Sequence, residues 1–193
     1  MRPHAGGAPA RAGAASRTRR TDAFRSAMDA RRLLPAYVAL GSNLDDPRAQ
    51  VERAIAALGD LPRTRRVLRS SLYRTRPFGP VAQPDFVNAV VGLLTELDPA
   101  TLLMALKNLE AGLGRERPSV RWGPRRIDLD LLVHGTSRSD VDELRLPHPG
   151  IAERAFVLVP LAEIAPDLDV PGVGRVRALR HCVDATGVER LAS

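Results

Sequence analysis

Lysine is almost absent from this chain. Lys107 is the only one among 29 basic residues. Arginine, alanine and leucine are abundant in its place, the mark of a codon bias, so the number of arginines is not in itself a sign of function. Cysteine is nearly missing too. The single Cys182 excludes an internal disulfide, and without CxxC pairs or His/Cys clusters no zinc site is expected. No run of about 18 apolar residues occurs, which excludes a helical membrane span. No apolar h-region marks a secretory signal, and the chain reads as cytoplasmic. Aromatics make up only 4%. The core must therefore be aliphatic, and the few aromatic positions are informative. Internal repeats, a Walker loop and a GxGxxG following a strand are all lacking, so the common nucleotide cradles are excluded.

What is present suits one domain. The 193 residues, 44% of them hydrophobic, suffice for a single core but not comfortably for two. The net charge of +7 is concentrated at one end. Residues 1–36 hold eight arginines and two acids, and the rest is nearly balanced, with 21 basic and 20 acidic residues. A near-neutral body argues against nucleic acid as a partner, since that needs basic surface on the fold itself. Residues 1–34, rich in Arg and Ala and without apolar periodicity, are expected to be a disordered extension, and 35–193 a single domain. A transit peptide fits poorly, given Asp22, Asp29 and no amphipathic stripe; Met28 is an alternative start.

The domain opens with a buried strand at Ala36–Leu40, followed by a Gly41-Ser42-Asn43 turn. Asp45 or Asp46 then caps a helix starting at Pro47, with Val51, Ala54, Ile55 and Leu58 on one face and Gly59 at its end. A strand is expected over Arg65–Tyr73, then a rigid loop with three prolines (74–84), then a strand over Phe86–Thr95. Asp98-Pro99 starts a second helix whose stripe is Leu102, Leu106, Leu109 and Leu113, closed by Gly112 and Gly114. A strand at 127–133 follows. A short edge strand at 143–146, a short helix near Ile151–Arg154, an apolar helix at 155–164 that Pro160 could break, and a last helix or strand within 174–183 complete the chain. Strand–helix–strand–strand–helix–strand is the βαββαβ, ferredoxin-like order. It implies an α+β fold, a mainly antiparallel sheet with helices packed on one face, plus C-terminal additions.

Chemistry concentrates in residues 114–133. A loop broken by Pro118, Gly123 and Pro124 carries Arg115, Arg117, Arg121, Arg125 and Arg126, and leads into Ile127-Asp128-Leu129-Asp130-Leu131-Leu132-Val133. Alternation in a strand puts Asp128 and Asp130 on one face. Paired carboxylates suit a hard divalent cation, and guanidiniums suit the phosphates that such a cation bridges. A solvated strand face beneath a basic surface loop would produce the same pattern.

Five ordered blocks extend this motif: Tyr-Val-Ala-Leu-Gly-Ser-Asn-Leu (37–44), Ser-Leu-Tyr-Arg-Thr-Arg-Pro-Phe-Gly-Pro (71–80), Gln-Pro-Asp-Phe-Val-Asn-Ala (83–89), the 109–130 stretch ending Pro-Arg-Arg-Ile-Asp-Leu-Asp, and Leu-Pro-His-Pro to Val-Pro-Leu (146–161). Together they resemble the 6-hydroxymethyl-7,8-dihydropterin pyrophosphokinase family of folate biosynthesis, over roughly residues 36–185. The resemblance implies transfer of an intact pyrophosphoryl group from ATP to the pterin hydroxymethyl oxygen, with AMP leaving. It implies two Mg2+ ions held by Asp128 and Asp130, and Arg115 and Arg125 on phosphates at the chemical step. It implies ATP binding by Lys107, Glu110, Arg117, Arg121, His148 and Arg154. For the pterin it implies Phe86 and Phe156 as stacking rings, Asn88 on the amide edge, Thr75, Arg76 and Phe78 through backbone groups, and Trp122 as the aromatic that covers the site. Arg76 stands where relatives often have proline, and Phe86 where many have tyrosine, which loses a hydroxyl contact. Arg126 is expected to be a bystander. No strong general base is evident; Asp130 is a candidate. ATP and the pterin are the expected partners, with no nucleic acid or membrane, and a monomer is expected. An RNA-binding sheet would need exposed sheet aromatics and a basic face. A nucleotide-sugar transferase using Asp-x-Asp would leave the pterin-pocket blocks unexplained.

Overall fold

The structure, a computed structural model, describes residues 32–77, 82–115 and 123–192. Residues 33–192 of these belong to one compact unit. Its first strand, β1 (Leu34–Ser42), starts two residues before the expected position and continues through Gly41 and Ser42, which were expected in a turn but pair with Asn88 and Val87 instead. Helix α1 (Pro47–Gly59) is capped by Asp46, whose Oδ1 accepts from Ala49 N at 3.0 Å. Strands β2 (Thr64–Arg69), β3 (Tyr73–Thr75) and β4 (Phe86–Thr95) follow. Helix α2 (Pro99–Gly112) is capped by Asp98, which accepts from Ala100 N and Thr101 N at 3.0 Å each. In both helices a cap carboxylate satisfies first-turn N–H groups ahead of a proline that lacks one. Strand β5 spans Asp128–His134.

β4 and β1 lie at the centre of the sheet, β5 flanks β1, and every pairing is antiparallel. This is the βαββαβ arrangement that the element order implies. The expected strand at 65–73, however, is broken in two. β2 pairs with the Val91–Thr95 end of β4 and β3 with its Phe86–Asn88 end. The break falls at Ser70–Leu72 because a distant carboxylate captures the chain there. Ser71 donates its N–H (2.9 Å) and its hydroxyl (2.8 Å) to Glu163.

The two helices of the βαββαβ unit pack on one face of the sheet, as expected, and a helix later in the chain covers the other face. Ala36, Val38 and Leu40 of β1, with Val87, Ala89, Val91 and Leu93 of β4, pack beneath α1 and α2. The opposite face, through Val90, Leu132 and Val133, packs against Val157 and Leu161 of a third helix, α3 (Ala155–Ile164). Pro160 lies inside α3 without ending it. The expected helix near 151–154 is instead a set of turns, with Ile151 N bonded to His148 O and Glu153 N to Gly150 O. These three-residue steps follow Pro149 and Gly150, both poor helix interiors. The C-terminal additions comprise the hairpins β6–β7 (Ser139–Val141, Leu144–Leu146) and β8–β9 (Asp169–Val170, Gly174–Arg175), then α4 (Val176–Cys182). A strand with no forecast, β10 (Val188–Arg190), joins the main sheet beside β3. The expected disorder of residues 1–34 lies almost wholly outside the described residues, and Leu34 is already in β1.

Candidate active site

On the α3 face of the sheet, β1 presents Tyr37, Ala39 and Gly41, and of these the small Ala39 and Gly41 line a cavity. Gly41 lies opposite Asn88 on β4 and Asp128 on β5, and Ala39 opposite Asp130. Small residues between taller neighbours make a trough. A Cβ at residue 41 would come within 2.9 Å of Asn88 Oδ1 and 3.9 Å of Phe86, so the trough exists because Gly41 has no side chain. The cavity measures about 310 Å³. Phe156, which opens α3, and His148 and Arg154, from the turns before it, complete the walls.

One end of the cavity is charged. Asp128 is ion-paired with Arg115, Nη1 to Oδ1 at 2.9 Å, and with Arg125. Arg115 also pairs with Glu110 at the end of α2. Glu110 is only 5% exposed, and its Oε1 accepts from Leu129 N at 2.7 Å. It therefore ties the end of α2 to the strand carrying both aspartates. Burial, the largest cause, raises its pKa to about 7. Asp130 is raised to about 6, by desolvation first and by the charge of Asp128 second. His148 is pushed down to about 4, by burial first and then by the Arg154 charge, so it is neutral at pH 7. Gly150 N donates to its Nδ1 at 3.1 Å. The ring proton therefore sits on Nε2, which lies 3.9 Å from Asp130 Oδ2. Arg154 folds over Gly150, where a Cβ would clash with its Nε, and its guanidinium stands 5.8 Å from the Phe156 ring centroid.

The other end is neutral and partly aromatic. Asn88 and Thr75, each 5% exposed, are joined by Asn88 Nδ2 donating to Thr75 Oγ1 at 2.7 Å. Phe86 lines the same space, with Arg76 at its mouth. A buried amide held by a hydroxyl, next to aromatic walls, suits a flat ligand rich in donors and acceptors.

The donor set fits magnesium rather than a transition metal. Among the described residues no cluster of three or more His, Cys, Asp or Glu could cage an ion. Two carboxylates on one strand face are what Mg2+ uses when phosphate and water supply its other ligands.

Of the residues singled out in the sequence, Thr75, Arg76, Phe86, Asn88, Arg115, Arg125, Asp128, Asp130, His148, Arg154 and Phe156 all line this one cavity. Glu110 lies beneath it, behind Arg115. Lys107 is exposed on α2, outside the lining. Phe78, Arg117, Arg121 and Trp122 fall outside the described residues. Arg126 pairs with Asp45 at 2.9 Å on the surface, in keeping with a bystander. Sequence reasoning missed Asn43 and assigned no role to Gln83. It took the Gly-Ser-Asn segment for a turn, whereas Asn43 is buried and bonds to residues 40 and 82 positions away. Only its long-range partners reveal it.

Carboxylates for a hard cation, guanidiniums for phosphate and a neutral aromatic pocket within one cavity define a class: a transferase that moves phosphoryl groups from a nucleotide to a small flat acceptor. Comparison with known proteins makes the family definite. A family model described as 7,8-dihydro-6-hydroxymethylpterin-pyrophosphokinase (HPPK) matches residues 37–166. A Pseudomonas aeruginosa 2-amino-4-hydroxy-6-hydroxymethyldihydropteridine pyrophosphokinase is 48% identical over 155 residues, covering 80% of this chain and 95% of that one. One from Methylorubrum extorquens is 47% identical over 156 residues, covering 81% and 98%. A solved Plasmodium falciparum HPPK-DHPS with pterin and p-hydroxybenzoate superposes with a TM-score of 0.60 at 16% identity, over 78% of this chain. The match spans 42% of that protein, less than half its length, and shows the fold alone. This chain belongs to the 7,8-dihydro-6-hydroxymethylpterin-pyrophosphokinase family.

Proposed function

We propose that this chain transfers the pyrophosphoryl group of ATP to 6-hydroxymethyl-7,8-dihydropterin, giving the pterin diphosphate and AMP, in folate biosynthesis. The observation that carries the reading is the sharing of one cavity by the Asp128/Asp130 pair and the Asn88–Thr75 pair. Transfer of this kind depends on positioning and charge neutralisation more than on covalent help. Asp128 and Asp130 would hold two Mg2+ ions, which supply Lewis-acid neutralisation of the triphosphate. Arg115 and Arg125, each of which engages Asp128 through Nη1, would take phosphate oxygens, which a guanidinium fork matches. Neutral His148 offers Nε2–H to the same region, and Arg154 adds a fixed cation. Lys107, Arg117 and Arg121 extend the nucleotide-binding set. Phe86 and Phe156 stack the pterin, Asn88 reads its amide edge, and Thr75, Arg76 and Phe78 complete that edge, with Trp122 covering the whole. The direct test is incubation with ATP, Mg2+ and the dihydropterin. AMP is the expected product; ADP, or no turnover, rejects the reading.

Gly41 carries a prediction for the pterin side. Gly41→Ala places a methyl against Asn88 Oδ1. It should raise KM for the pterin by about tenfold, roughly the worth of one good hydrogen bond, with KM for ATP little changed. Steady-state kinetics with each substrate varied in turn checks this, and an unchanged pterin KM refutes the placement of Asn88.

We further propose a monomer of the cytoplasm whose activity resides in the 33–192 unit. No described helix is long and apolar enough to cross a membrane. A chain lacking residues 1–32 should retain full turnover and elute as a monomer in gel filtration. A loss of more than a few-fold contradicts the assignment of activity to that unit.

A further inference from the structure

Asn43 makes contacts that neither half of the cavity explains alone. It is 2% exposed and sits just past the end of β1. Its Oδ1 accepts from Arg125 N at 2.9 Å, and its own backbone N donates to Arg125 O at 3.2 Å. Its Nδ2 donates to Gln83 Oε1 at 2.9 Å and to Pro84 O at 3.1 Å. A buried primary amide can make about three or four hydrogen bonds, and this one spends its oxygen on one segment and its nitrogen on another. The first segment carries Arg125 and leads directly into Asp128. The second, residues 82–85, leads directly into Phe86 and Asn88. Backbone polar groups are engaged on both sides, so the clasp positions chain rather than a single side chain.

We propose that Asn43 is a positioning residue that holds the phosphate-side segment at Arg125 and the acceptor-side segment at Gln83–Pro84 in one fixed relation, and so aligns the two substrates. This rests on the pyrophosphokinase reading. It touches no reacting atom; it acts through the segments it ties. Transfer between two bound molecules is steep in their separation, and small misplacements cost large factors in rate. The two arms can be cut separately, because an amide is a donor at one end and an acceptor at the other.

Asn43→Asp keeps the acceptor for Arg125 N–H and loses the donor. The Gln83 amide can turn over to meet a carboxylate, but the Pro84 carbonyl cannot, so the acceptor-side arm is the one repelled. Asn43→Ala cuts both arms. Asn43→Asp should therefore raise KM for the pterin about tenfold and lower kcat several-fold, while KM for ATP stays within about twofold. Asn43→Ala should show the same pterin defect and, in addition, a further fall in kcat of about tenfold or more. Loss of folded protein would lower kcat alike in both variants and leave each KM unchanged, so that pattern overturns the proposal. So does a pair of variants with identical kinetics, or with wild-type kinetics. Should either variant fail to fold, as seen by thermal unfolding, Gln83→Ala cuts part of the same arm from the half-exposed side. A pterin KM unchanged in Gln83→Ala also overturns the proposal. Failure of the wild-type chain to release AMP is a separate outcome and rejects the function. In that case binding of 6-hydroxymethylpterin and of a non-hydrolysable ATP analogue, measured by calorimetry on the same variants, should still show the acceptor-side loss in Asn43→Asp. Equal affinities in wild type and Asn43→Asp overturn the clasp.

Discussion

Asp128→Asn should reduce turnover by about 10³-fold or more, roughly 4 kcal/mol of transition-state stabilisation, and leave the fold intact. The side chain is acceptor-only as a carboxylate, and it stands where two guanidiniums converge. An amide of the same shape loses the charge that holds a hard cation and places an N–H group where a cation or a guanidinium must approach. Asp130→Asn should behave in the same way, because register puts both carboxylates on the α3 face of β5 beside the small residues of β1. The fold should survive in Asp128→Asn because Arg115 keeps Glu110 as a partner. The measurement is AMP release at saturating ATP and Mg2+, alongside circular dichroism and thermal unfolding. Activity within tenfold of wild type would remove Asp128 from the metal site. A parallel collapse of Tm would show instead that its contribution is to packing.

Much of this arrangement was legible in the chain, because alternation and capping are local signals. Asp128 and Asp130 share a face by period two alone, and Asp46-Pro47 and Asp98-Pro99 mark both helix starts by satisfying or omitting first-turn donors. The parts that could not be read depend on partners far along the chain. Glu163 interrupts the strand after Arg69 from 92 residues away, and no local propensity at Ser71 announces it. The position of α3 on the opposite face is equally non-local: its apolar sequence is suited to burial against either side of the sheet. Asn43 lies in a segment with an ordinary turn composition, and its distinction lies only in what it bonds. The site was visible as a set of residue types, whereas the scaffold that fixes their relation was not.

Glu110 is a buried position that the apolar stripe of α2 does not announce, and its removal carries the second large expected effect. The stripe itself is present: Leu102 and Leu106 are fully buried, and Leu109 and Leu113 pack, partly buried, against the same core. The third buried position is Glu110, four residues after Leu106, so a carboxylate shares the core-facing side with the leucines. A buried charge there must be paired, and it is, by Leu129 N–H and Arg115. Glu110→Ala leaves that N–H without an acceptor and frees Arg115 at one end. It should cost about 2–4 kcal/mol, a fall in Tm of roughly 5–12 °C, and lower kcat by about tenfold or more through loss of Arg115 alignment. Glu110→Gln keeps an oxygen for Leu129 N–H and should cost much less. The comparison with Gln also has a sign in pH. Burial raises Glu110 from its ordinary value of 4.5 to about 7, so between those values the folded chain binds more proton than the unfolded one. Its contribution to stability is complete below about pH 4.5 and is lost as pH rises through 7. Glutamine does not titrate. In magnesium-free buffer the Tm of Glu110→Gln should therefore gain on that of wild type between pH 5 and pH 8. A difference that stays flat, or shrinks, would mean that the Arg115 pairing outweighs desolvation and that Glu110 is fully ionised in the fold at neutral pH.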